Sequence, residues 1–273
     1  MQFVEAKGAR IPAIGFGTMT LKEALCVDMV SAALKMGWRH LDTAQMYGNE
    51  REVGEGLRAS GIKREEVFLT TKVWWQNLAP GDFERSLEES LKKLGVPWVD
   101  LLLIHWPSPT IAPSASIPLL NKAKRDGFAK NIGVANHNIA LLDEAMRVTK
   151  EPLVNNQIEV HPFLDQTKII AACRRHGLSM TGFCPMGRGS ISDNAVLGKI
   201  GKAHGKTAGQ IALRWSVQQG IIPIPRTSKK ERLAENMAVF DFKLTDAEMA
   251  EIATLKRPDG RIVSPSPQAP KWD

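Results

Sequence analysis

Short, continuously apolar stretches recur along the chain, and each is followed by a segment whose apolar residues repeat at helical spacing. The stretch VDLLLIH at 99–105 is typical of a strand buried on both faces, whereas 82–94 has the spacing of an amphipathic helix. At the start, 3–6 and 10–14 are joined through Lys7 and Gly8 and predict a hairpin. The strands predicted after the hairpin are 14–18, 38–43, 67–72, 99–105, 129–134, 154–159, 179–183 and 221–224.

Helical spacing predicts ten helices between and after these strands. The last of them begins Thr-Asp-Ala-Glu at Thr245, which is the sequence signature of a capping box at a helix N-terminus. The predicted helices are 24–36, 50–60, 82–94, 116–126, 139–149, 166–176, 194–204, 207–219, 229–239 and 245–255.

This order gives eight strand–helix units and one additional C-terminal helix. Buried strands that alternate with helices form parallel sheets, and eight such units favour a closed barrel over an open sheet. We therefore predict an α/β fold with a single (β/α)8 TIM barrel whose N-terminal end is covered by the hairpin. No linker or change of composition divides the chain, so residues 1–273 are predicted to be one domain.

Composition and charge argue against several classes of partner. The net charge is +7, but the basic residues are scattered and the dense patch at 226–232 has no interleaved aromatic residues, so nucleic acid is not an expected partner. No stretch reaches the ~18 apolar residues of a membrane span. Cys26, Cys173 and Cys184 show no CxxC pair or metal spacing, which predicts reduced thiols, a cytoplasmic location and no metal site.

Ionisable side chains end three of the predicted strands. Asp42 ends the second strand, Lys72 the third and His105 the fourth. Tyr47, the only tyrosine, lies in the loop that follows Asp42. Active sites of such barrels lie at the carboxyl ends of the strands, and buried charges are costly unless they are paired. We therefore predict that these four side chains share one site.

Such a group suits the reduction of a carbonyl, which adds a hydride to carbon and a proton to oxygen. No protein side chain supplies a hydride, so a nicotinamide is implied, and Tyr47 would be the general acid. The pKa of an unperturbed tyrosine is about 10, and a neighbouring Lys72 ammonium would lower it. Asp42 would hold Lys72 charged, and His105 would hydrogen-bond the substrate oxygen.

Each of these residues also has a structural interpretation when it is taken alone. Asp42 could cap the turn before the next helix, and Lys72 could be a solvated strand end. His105 could be a core histidine, and Tyr47 could serve only to pack its loop. Because four such roles would have to coincide at one rim, the catalytic interpretation is favoured.

At these residues the chain resembles the aldo-keto reductases, including compact bacterial members such as the 2,5-diketo-D-gluconate reductases. The resemblance extends over almost the entire chain and is carried by DTAQMYGNE, LTTKVW, LLIHWP, IGVAN, NNQIEVHP and ERLAEN. It implies an NADP-dependent oxidoreductase that reduces an aldehyde, ketone or keto-sugar, with diketogluconate and methylglyoxal reduction as leading possibilities. The resemblance implies that the catalytic residues are Asp42, Tyr47, Lys72 and His105.

The resemblance also implies where ligands bind. The segment after the last predicted strand has hydroxyls and arginines at a predicted helix start, which favours phosphate binding, and relatives use it for the adenosine 2′-phosphate. NADPH is therefore expected rather than NADH, although NADH is possible. The implied cofactor-binding residues are Thr18, Asp42, Asn136, Gln157, Phe183, Met186, Arg226, Thr227, Ser228, Arg232, Glu235 and Asn236. The implied substrate-binding residues are Met19, Trp74, His105 and Trp106.

The sequence departs from the family pattern in the nicotinamide region. Ala135 stands where relatives usually have serine, Phe183 replaces a tyrosine, and Cys184 replaces a serine. The tail at 257–273 is short and rich in proline and is expected to cover only part of the pocket. A small-molecule carbonyl is the expected partner, and a monomer is the expected state. Two alternatives stay open, a cofactor-binding regulatory or redox-sensing subunit with little turnover and a metal-dependent barrel enzyme.

Overall fold

The computed structural model describes residues 2–273. Within them, ten strands form a two-stranded antiparallel sheet and an eight-stranded parallel sheet. The strands are β1 (Phe3–Ala6), β2 (Ala9–Pro12), β3 (Phe16–Gly17), β4 (His40–Asp42), β5 (Phe68–Val73), β6 (Val99–Ile104), β7 (Ala129–Ala135), β8 (Leu153–Glu159), β9 (Ser179–Phe183) and β10 (Ile221–Pro223).

Helices follow the barrel strands along the chain and cover the outside of the sheet. The last of them begins with the predicted capping box, in which Thr245 and Glu248 hydrogen-bond each other's backbone N–H groups. The helices are α1 (Glu23–Lys35), α2 (Glu50–Ser60), α3 (Asp82–Leu94), α4 (Pro113–Arg125), α5 (Ile139–Val148), α6 (Thr167–Arg175), α7 (Ala195–His204), α8 (Ala208–Gln218), α9 (Glu231–Met237) and α10 (Asp246–Ala253).

The eight parallel strands close into the predicted barrel. Strands β3 to β10 pair in chain order, and β3 meets β10 through hydrogen bonds from Gly15 N to Pro223 O and from Gly17 N to Pro225 O, both 3.0 Å long. The two prolines have no N–H to donate. The seam therefore uses only carbonyls from the β10 side. β3 has two residues instead of the predicted 14–18, and both pair with β4.

The N-terminal hairpin covers one end of the barrel, as predicted. Lys7 and Gly8 both have positive φ, at 47° and 86°, which is the backbone of a tight two-residue hairpin turn. Ile11 of β2 is fully buried against side chains from the beginnings of barrel strands, including Leu101, Val154 and Ile222. The hairpin thus closes the end opposite the carboxyl ends of the strands.

Two helices begin more than one residue away from the position predicted from the sequence. The helix predicted at 116–126 begins three residues earlier, because Pro113 occupies the first turn, where its missing N–H costs nothing. The helix predicted at 229–239 is α9, which is limited to Glu231–Met237. Thr227 and Ser228 therefore lie in a loop and not at the start of the helix.

Candidate active site

Lys72 brings three of the four predicted catalytic residues together. Its Nζ donates hydrogen bonds to Asp42 Oδ1 at 2.6 Å, to the Thr43 carbonyl at 2.9 Å and to the Tyr47 hydroxyl at 3.2 Å. The lysine is fully buried at the carboxyl end of β5. An ammonium has three protons to donate, so every one of them has an acceptor and the side chain is fixed in direction.

The second carboxylate oxygen of Asp42 is also hydrogen-bonded within the chain. Gln157 Nε2, from β8, donates to Asp42 Oδ2 at 2.8 Å, and the Thr18 hydroxyl donates to the Asp42 carbonyl at 3.0 Å. The carboxylate is 1% exposed. Because a buried ion pair needs its remaining lone pairs satisfied, the Gln157 amide is part of the support for the Lys72–Asp42 pair.

His105 lies against Tyr47 and Trp74. Its ring centroid is 5.6 Å from that of Tyr47 and 5.4 Å from that of Trp74, both in edge-to-face contact. Trp106 follows it and is buried, whereas Met19 is 39% exposed at the rim. The four predicted catalytic residues therefore meet at one place, and the predicted substrate-binding residues Trp74 and Trp106 lie next to it.

Burial and charge act on the Tyr47 phenol in opposite directions. Burial raises the pKa of Tyr47, and the Lys72 ammonium partly offsets this by lowering it. Lys72 thus lowers the pKa as expected, but burial has the larger effect and the net pKa lies above the usual value of 10.0. Burial would by itself lower the pKa of Lys72, but Asp42 and Tyr47 hold it above its usual value, as the lysine's predicted role requires.

The same surroundings keep His105 neutral. Burial, and then the positive charge of Lys72, lower the pKa of His105 well below its usual value of 6.5. The ring therefore carries one proton at neutral pH. Its Nδ1 atom is buried and has no hydrogen-bond partner within residues 2–273.

The predicted phosphate-binding residues lie together in the loop after β10 and at the start of α9. Arg226, Ser228 and Arg232 are exposed, and Thr227 is buried and accepts a hydrogen bond from Lys229 N at 3.0 Å. Arg226 Nε donates to the Met19 carbonyl at 3.3 Å. The loop therefore lies beside the residues that follow β3, on the same rim as the catalytic group.

The predicted nicotinamide residues use their amide donors within the chain. Asn136 Nδ2 donates to the His105 carbonyl at 2.9 Å, as Gln157 Nε2 does to Asp42. The buried Asn136 Oδ1 has no partner within residues 2–273. Both amides can therefore offer acceptor oxygens to a ligand, and their expected hydrogen bonds to a nicotinamide carboxamide stay a prediction. Phe183 ends β9, and Met186 follows it and packs on the core.

The two predicted adenine contacts differ in their surroundings. Glu235 is half-buried, and its Oε1 accepts a hydrogen bond from Thr207 Oγ1 at 2.8 Å, at the start of α8. Asn236 is 4% exposed on α9. Glu235 thus already has one partner within the chain.

Comparison with known proteins agrees with this geometry. The sequence profile of the aldo/keto reductase family matches residues 13–257. A methylglyoxal reductase, DkgB, of Yersinia pestis is 40% identical over 266 residues, covering 96% of this chain and 99% of that protein. The chain belongs to the aldo/keto reductase family.

Solved structures support the same membership. A crystal structure of a candidate 2,5-diketo-D-gluconic acid reductase B has a TM-score of 0.98 and 47% identity, covering 100% of this chain and 98% of that one. A Bombyx mori aldo-keto reductase in complex with NADP has a TM-score of 0.90 and 33% identity, covering 99% of this chain and 98% of that one. This aldo-keto reductase is thus an oxidoreductase of carbonyl compounds.

One residue that supports the site, Gln45, is not marked by any pattern in the sequence. Gln45 Oε1 accepts hydrogen bonds from Trp74 N at 2.9 Å and Asn77 Nδ2 at 3.1 Å, and its Nε2 donates to Ser86 O and Ser90 Oγ, both at 3.1 Å. The side chain joins the loop that carries Tyr47 to the loop that carries Trp74. Its partners are 29 to 45 residues away in the chain, which no local pattern predicts.

Two kinds of site are not found in the part of the chain that the structure describes. Residues 2–273 contain no group of three or more His, Cys, Asp or Glu side chains placed to bind a metal ion. None of the helices within this range has both the length and the apolar character needed to cross a membrane.

Proposed function

We propose that this reductase uses Tyr47 as the proton donor to the substrate oxygen. The observation that carries the proposal is the hydrogen bond from Lys72 Nζ to the Tyr47 hydroxyl at 3.2 Å. Because the phenol oxygen accepts this bond, its own O–H proton is available to a further acceptor. A carbonyl oxygen at hydrogen-bond distance from Tyr47 would be that acceptor.

The fixed ammonium of Lys72 supports the same step. As the proton leaves Tyr47, negative charge develops on the phenol oxygen. A positive charge 3.2 Å away stabilises that charge in a dry site, where electrostatic interactions are stronger than in water. Asp42 acts through Lys72, since it keeps the lysine charged and oriented, and is in turn oriented by Gln157.

His105 is assigned to orienting the carbonyl. It is neutral and lies beside Tyr47, so a ring N–H can donate to the same oxygen without competing for the proton that Tyr47 delivers. Trp74 and Trp106 are assigned to the apolar walls of the pocket, and Met19 to its rim. A neutral donor and apolar walls suit a carbonyl group, which carries no charge before it is reduced.

The residues present fit a nicotinamide cofactor. NADPH, when bound, supplies the hydride. The buried, unpartnered Asn136 Oδ1 is an acceptor suited to the N–H groups of a carboxamide, while Gln157 and Thr18 lie beside Asp42. Phe183 and Met186 are assigned to the ring surface at the end of β9.

The loop after β10 supports NADPH over NADH. The exposed cations Arg226 and Arg232 and the hydroxyls of Thr227 and Ser228 match a phosphate monoester, since arginine binds phosphate oxygens in charge-assisted pairs. Glu235 and Asn236 of α9 are assigned to the adenosine end of the cofactor. The phosphate assignment depends on the side chains of the loop, because α9 begins only at Glu231.

Small 2-oxoaldehydes and keto-sugar acids are the proposed substrates. Relatives named for methylglyoxal and for 2,5-diketo-D-gluconic acid align with nearly the full chain, and both compounds carry adjacent carbonyl and oxygen functions. A neighbouring electron-withdrawing group makes a carbonyl carbon a better hydride acceptor. We expect these compounds to be reduced faster than simple aldehydes of the same size.

A panel of carbonyls tests this proposal. NADPH oxidation would be followed with methylglyoxal, 2,5-diketo-D-gluconate and propanal, and then repeated with NADH and with a chelator present. We expect turnover of the first two with NADPH, no effect of the chelator, and weaker activity with NADH. Tight NADPH binding without turnover of any carbonyl would instead indicate a regulatory subunit, and loss of activity on chelation a metal enzyme.

We further propose that the chain acts as a monomeric enzyme in the cytoplasm and that residues 1–273 form a single domain. All the assigned site residues come from one chain, and Cys26, Cys173 and Cys184 are free thiols, which suits a reducing compartment. Light scattering at several concentrations tests the oligomeric state; a mass of two chains throughout would contradict it.

A further inference from the structure

Glu159, which ends β8, holds the C-terminal tail, defined here as residues 257–273. Its Oε1 accepts a hydrogen bond from Ile262 N at 2.7 Å, and its Oε2 accepts one from Val263 N at 2.9 Å. The carboxylate is 0% exposed. Two successive backbone N–H groups of the tail thus share one buried acceptor group from the barrel.

Glu159 is also paired with His161 and with Arg261 of the tail, whose Nη1 lies 4.0 Å from Glu159 Oε2. His161 Nε2 lies 2.9 Å from Glu159 Oε1, and both side chains are 0% exposed. A buried carboxylate is costly unless hydrogen bonds replace its lost water. Two of the donors that replace this water are backbone N–H groups of the tail. The hydrogen bonds of Glu159 are therefore complete only when the tail is in place.

The tail enters this contact through a position that has no room for a side chain. A Cβ atom on Gly260 would lie 1.9 Å from the Phe163 carbonyl oxygen, which already accepts a hydrogen bond from Arg257 N at 2.9 Å. The backbone at Gly260 therefore lies directly on the loop that follows β8. A methyl group there would push the tail away without touching Glu159.

A second contact holds the far end of the tail. Asn138 Nδ2 donates to the Lys271 carbonyl at 2.9 Å, and the Asp273 carboxylate accepts from Ile139 N at 3.0 Å, at the start of α5. The tail is therefore held where it leaves Glu159 and again beside the end of β7.

At this second contact the tail places an indole on the predicted substrate pocket. The rings of Trp272 and Trp106 meet edge to face with centroids 6.2 Å apart. The Arg261 guanidinium lies 3.7 Å over the Trp272 ring, and Trp272 Nε1 donates to Ser264 Oγ at 3.1 Å. The position of Trp272 thus depends on residues immediately adjacent to those that Glu159 holds.

We propose that Glu159 is a positioning residue for substrate selection: it fixes the tail so that Trp272 forms the outer wall of the pocket against Trp106. The inference rests on the proposed function, in which Trp106 and the adjacent His105 face the substrate. Glu159 does not contact the reacting atoms. Its loss is therefore expected to alter the capture of substrates that extend to Trp272 more than the reduction of small ones.

The test uses Glu159→Gln in the full chain with two aldehydes of different size, glyceraldehyde and 4-nitrobenzaldehyde. Glutamine keeps one acceptor oxygen but sets an NH2 group either against Val263 N–H or against Ile262 N–H and His161. We expect KM for 4-nitrobenzaldehyde to rise about fivefold more than KM for glyceraldehyde, in line with one lost hydrogen bond and one lost aromatic contact. Hydrogen exchange at the Ile262 and Val263 amides should become faster, with or without NADPH.

Two further variants separate a positioning role from a general loss of structure. Trp272→Ala should give the same change of substrate preference, and Glu159→Gln should add nothing to it in the double variant. If Glu159→Gln does not fold, Gly260→Ala replaces it, because the added methyl group should displace the tail and give the same change of substrate preference. Glu248→Gln is the control, since Glu248 forms a carboxylate–histidine pair of similar length with His204 on the outer helices, at 2.8 Å, and it should leave the preference unchanged.

Several outcomes would overturn the inference. Equal changes of KM for the two aldehydes, additive effects of Glu159→Gln and Trp272→Ala, or unchanged exchange at 262 and 263 would each do so. Failure of the unaltered protein to reduce either aldehyde would count against the proposed function instead. The exchange measurement would still decide in that case whether Glu159 holds the tail.

Discussion

The catalytic group and the phosphate-binding loop lie on the same rim of the barrel but are built in opposite ways. Lys72 and Asp42 are buried, and their charged atoms are hydrogen-bonded within the chain. Ser228 and Arg232 are exposed, and their side chains make no hydrogen bond within residues 2–273. One region is assembled by the protein itself, while the other has its charges directed to solvent.

This difference follows from what each region has to do. A charge that must act in a dry site needs its partners before the substrate arrives, because burying it unpaired is costly. A charge that recognises a phosphate is more useful when it is solvated and available. Changes in the first region should therefore affect both stability and catalysis, and changes in the second should affect cofactor binding alone.

The largest effect is expected for Lys72→Met. It removes the positive charge beside Tyr47 and leaves Asp42 buried without its partner, so kcat should fall by about 100-fold or more and the free energy of unfolding by about 3–5 kcal/mol. Steady-state kinetics and chemical denaturation measure the two effects. Lys206→Met is the control, because Lys206 pairs with Asp241 on the outside of the barrel. This variant should change both kcat and the free energy of unfolding by less.

A smaller and more selective effect is expected for Arg232→Ala. Loss of a charge-assisted contact of about 1.5–3 kcal/mol would weaken NADPH binding roughly 10- to 100-fold, while NADH, which lacks the 2′-phosphate, should be affected much less. Fluorescence titration with both cofactors measures this. Arg85→Ala, on the exposed face of α3, should affect neither, and an equal loss for NADPH and NADH would show that the phosphate assignment is wrong.

Gln45→Ala should have a moderate effect on the catalytic side. It removes the four hydrogen bonds that join the Tyr47 and Trp74 loops to α3, and we expect kcat/KM to fall by about fivefold to tenfold. Gln45→Glu keeps the two acceptor bonds and should recover part of the loss. Identical values for both variants would show that the side chain only fills space.

The smallest effect is expected from pH. Reduction needs Tyr47 protonated, and its pKa lies above 10.0, so activity should be lost only as pH rises through that raised value. Because the pKa of His105 lies well below 6.5, no acidic limb from its titration is expected near that pH. A kcat profile with NADPH that is flat from about pH 6 to 9 is expected; a limb near 6.5 would contradict the neutral state of His105.

How far the sequence predicts this molecule depends on the range of each interaction. The barrel follows from local apolar patterns, and the catalytic rim follows because parallel strands bring their carboxyl ends to one edge. Gln157 contacts Asp42 across 115 positions in the chain, and Glu159 contacts Val263 across 104. Nothing local marks such pairs, so neither the contact of Gln157 with Asp42 nor the attachment of the tail to Glu159 is predicted from the sequence.

Like contacts between distant residues, the extent to which a side chain is buried is not predicted from the local sequence. Proximity to Lys72 correctly predicts that the lysine lowers the pKa of Tyr47, but the larger opposing effect comes from the packing around the phenol. The length of α9 is a similar case, since the basic run at 229–232 continues the helical pattern while the loop hydrogen bond between Thr227 and Lys229 delays the helix.

The proton-donor role of Tyr47 is tested most directly by Tyr47→Phe, which removes one oxygen and keeps the ring against His105. The measurement is the rate of NADPH oxidation with methylglyoxal at saturating cofactor, alongside the dissociation constant for NADPH. We predict a fall in kcat of about 1,000-fold or more with little change in NADPH binding. A rate within a few-fold of that of the unaltered protein would contradict the account.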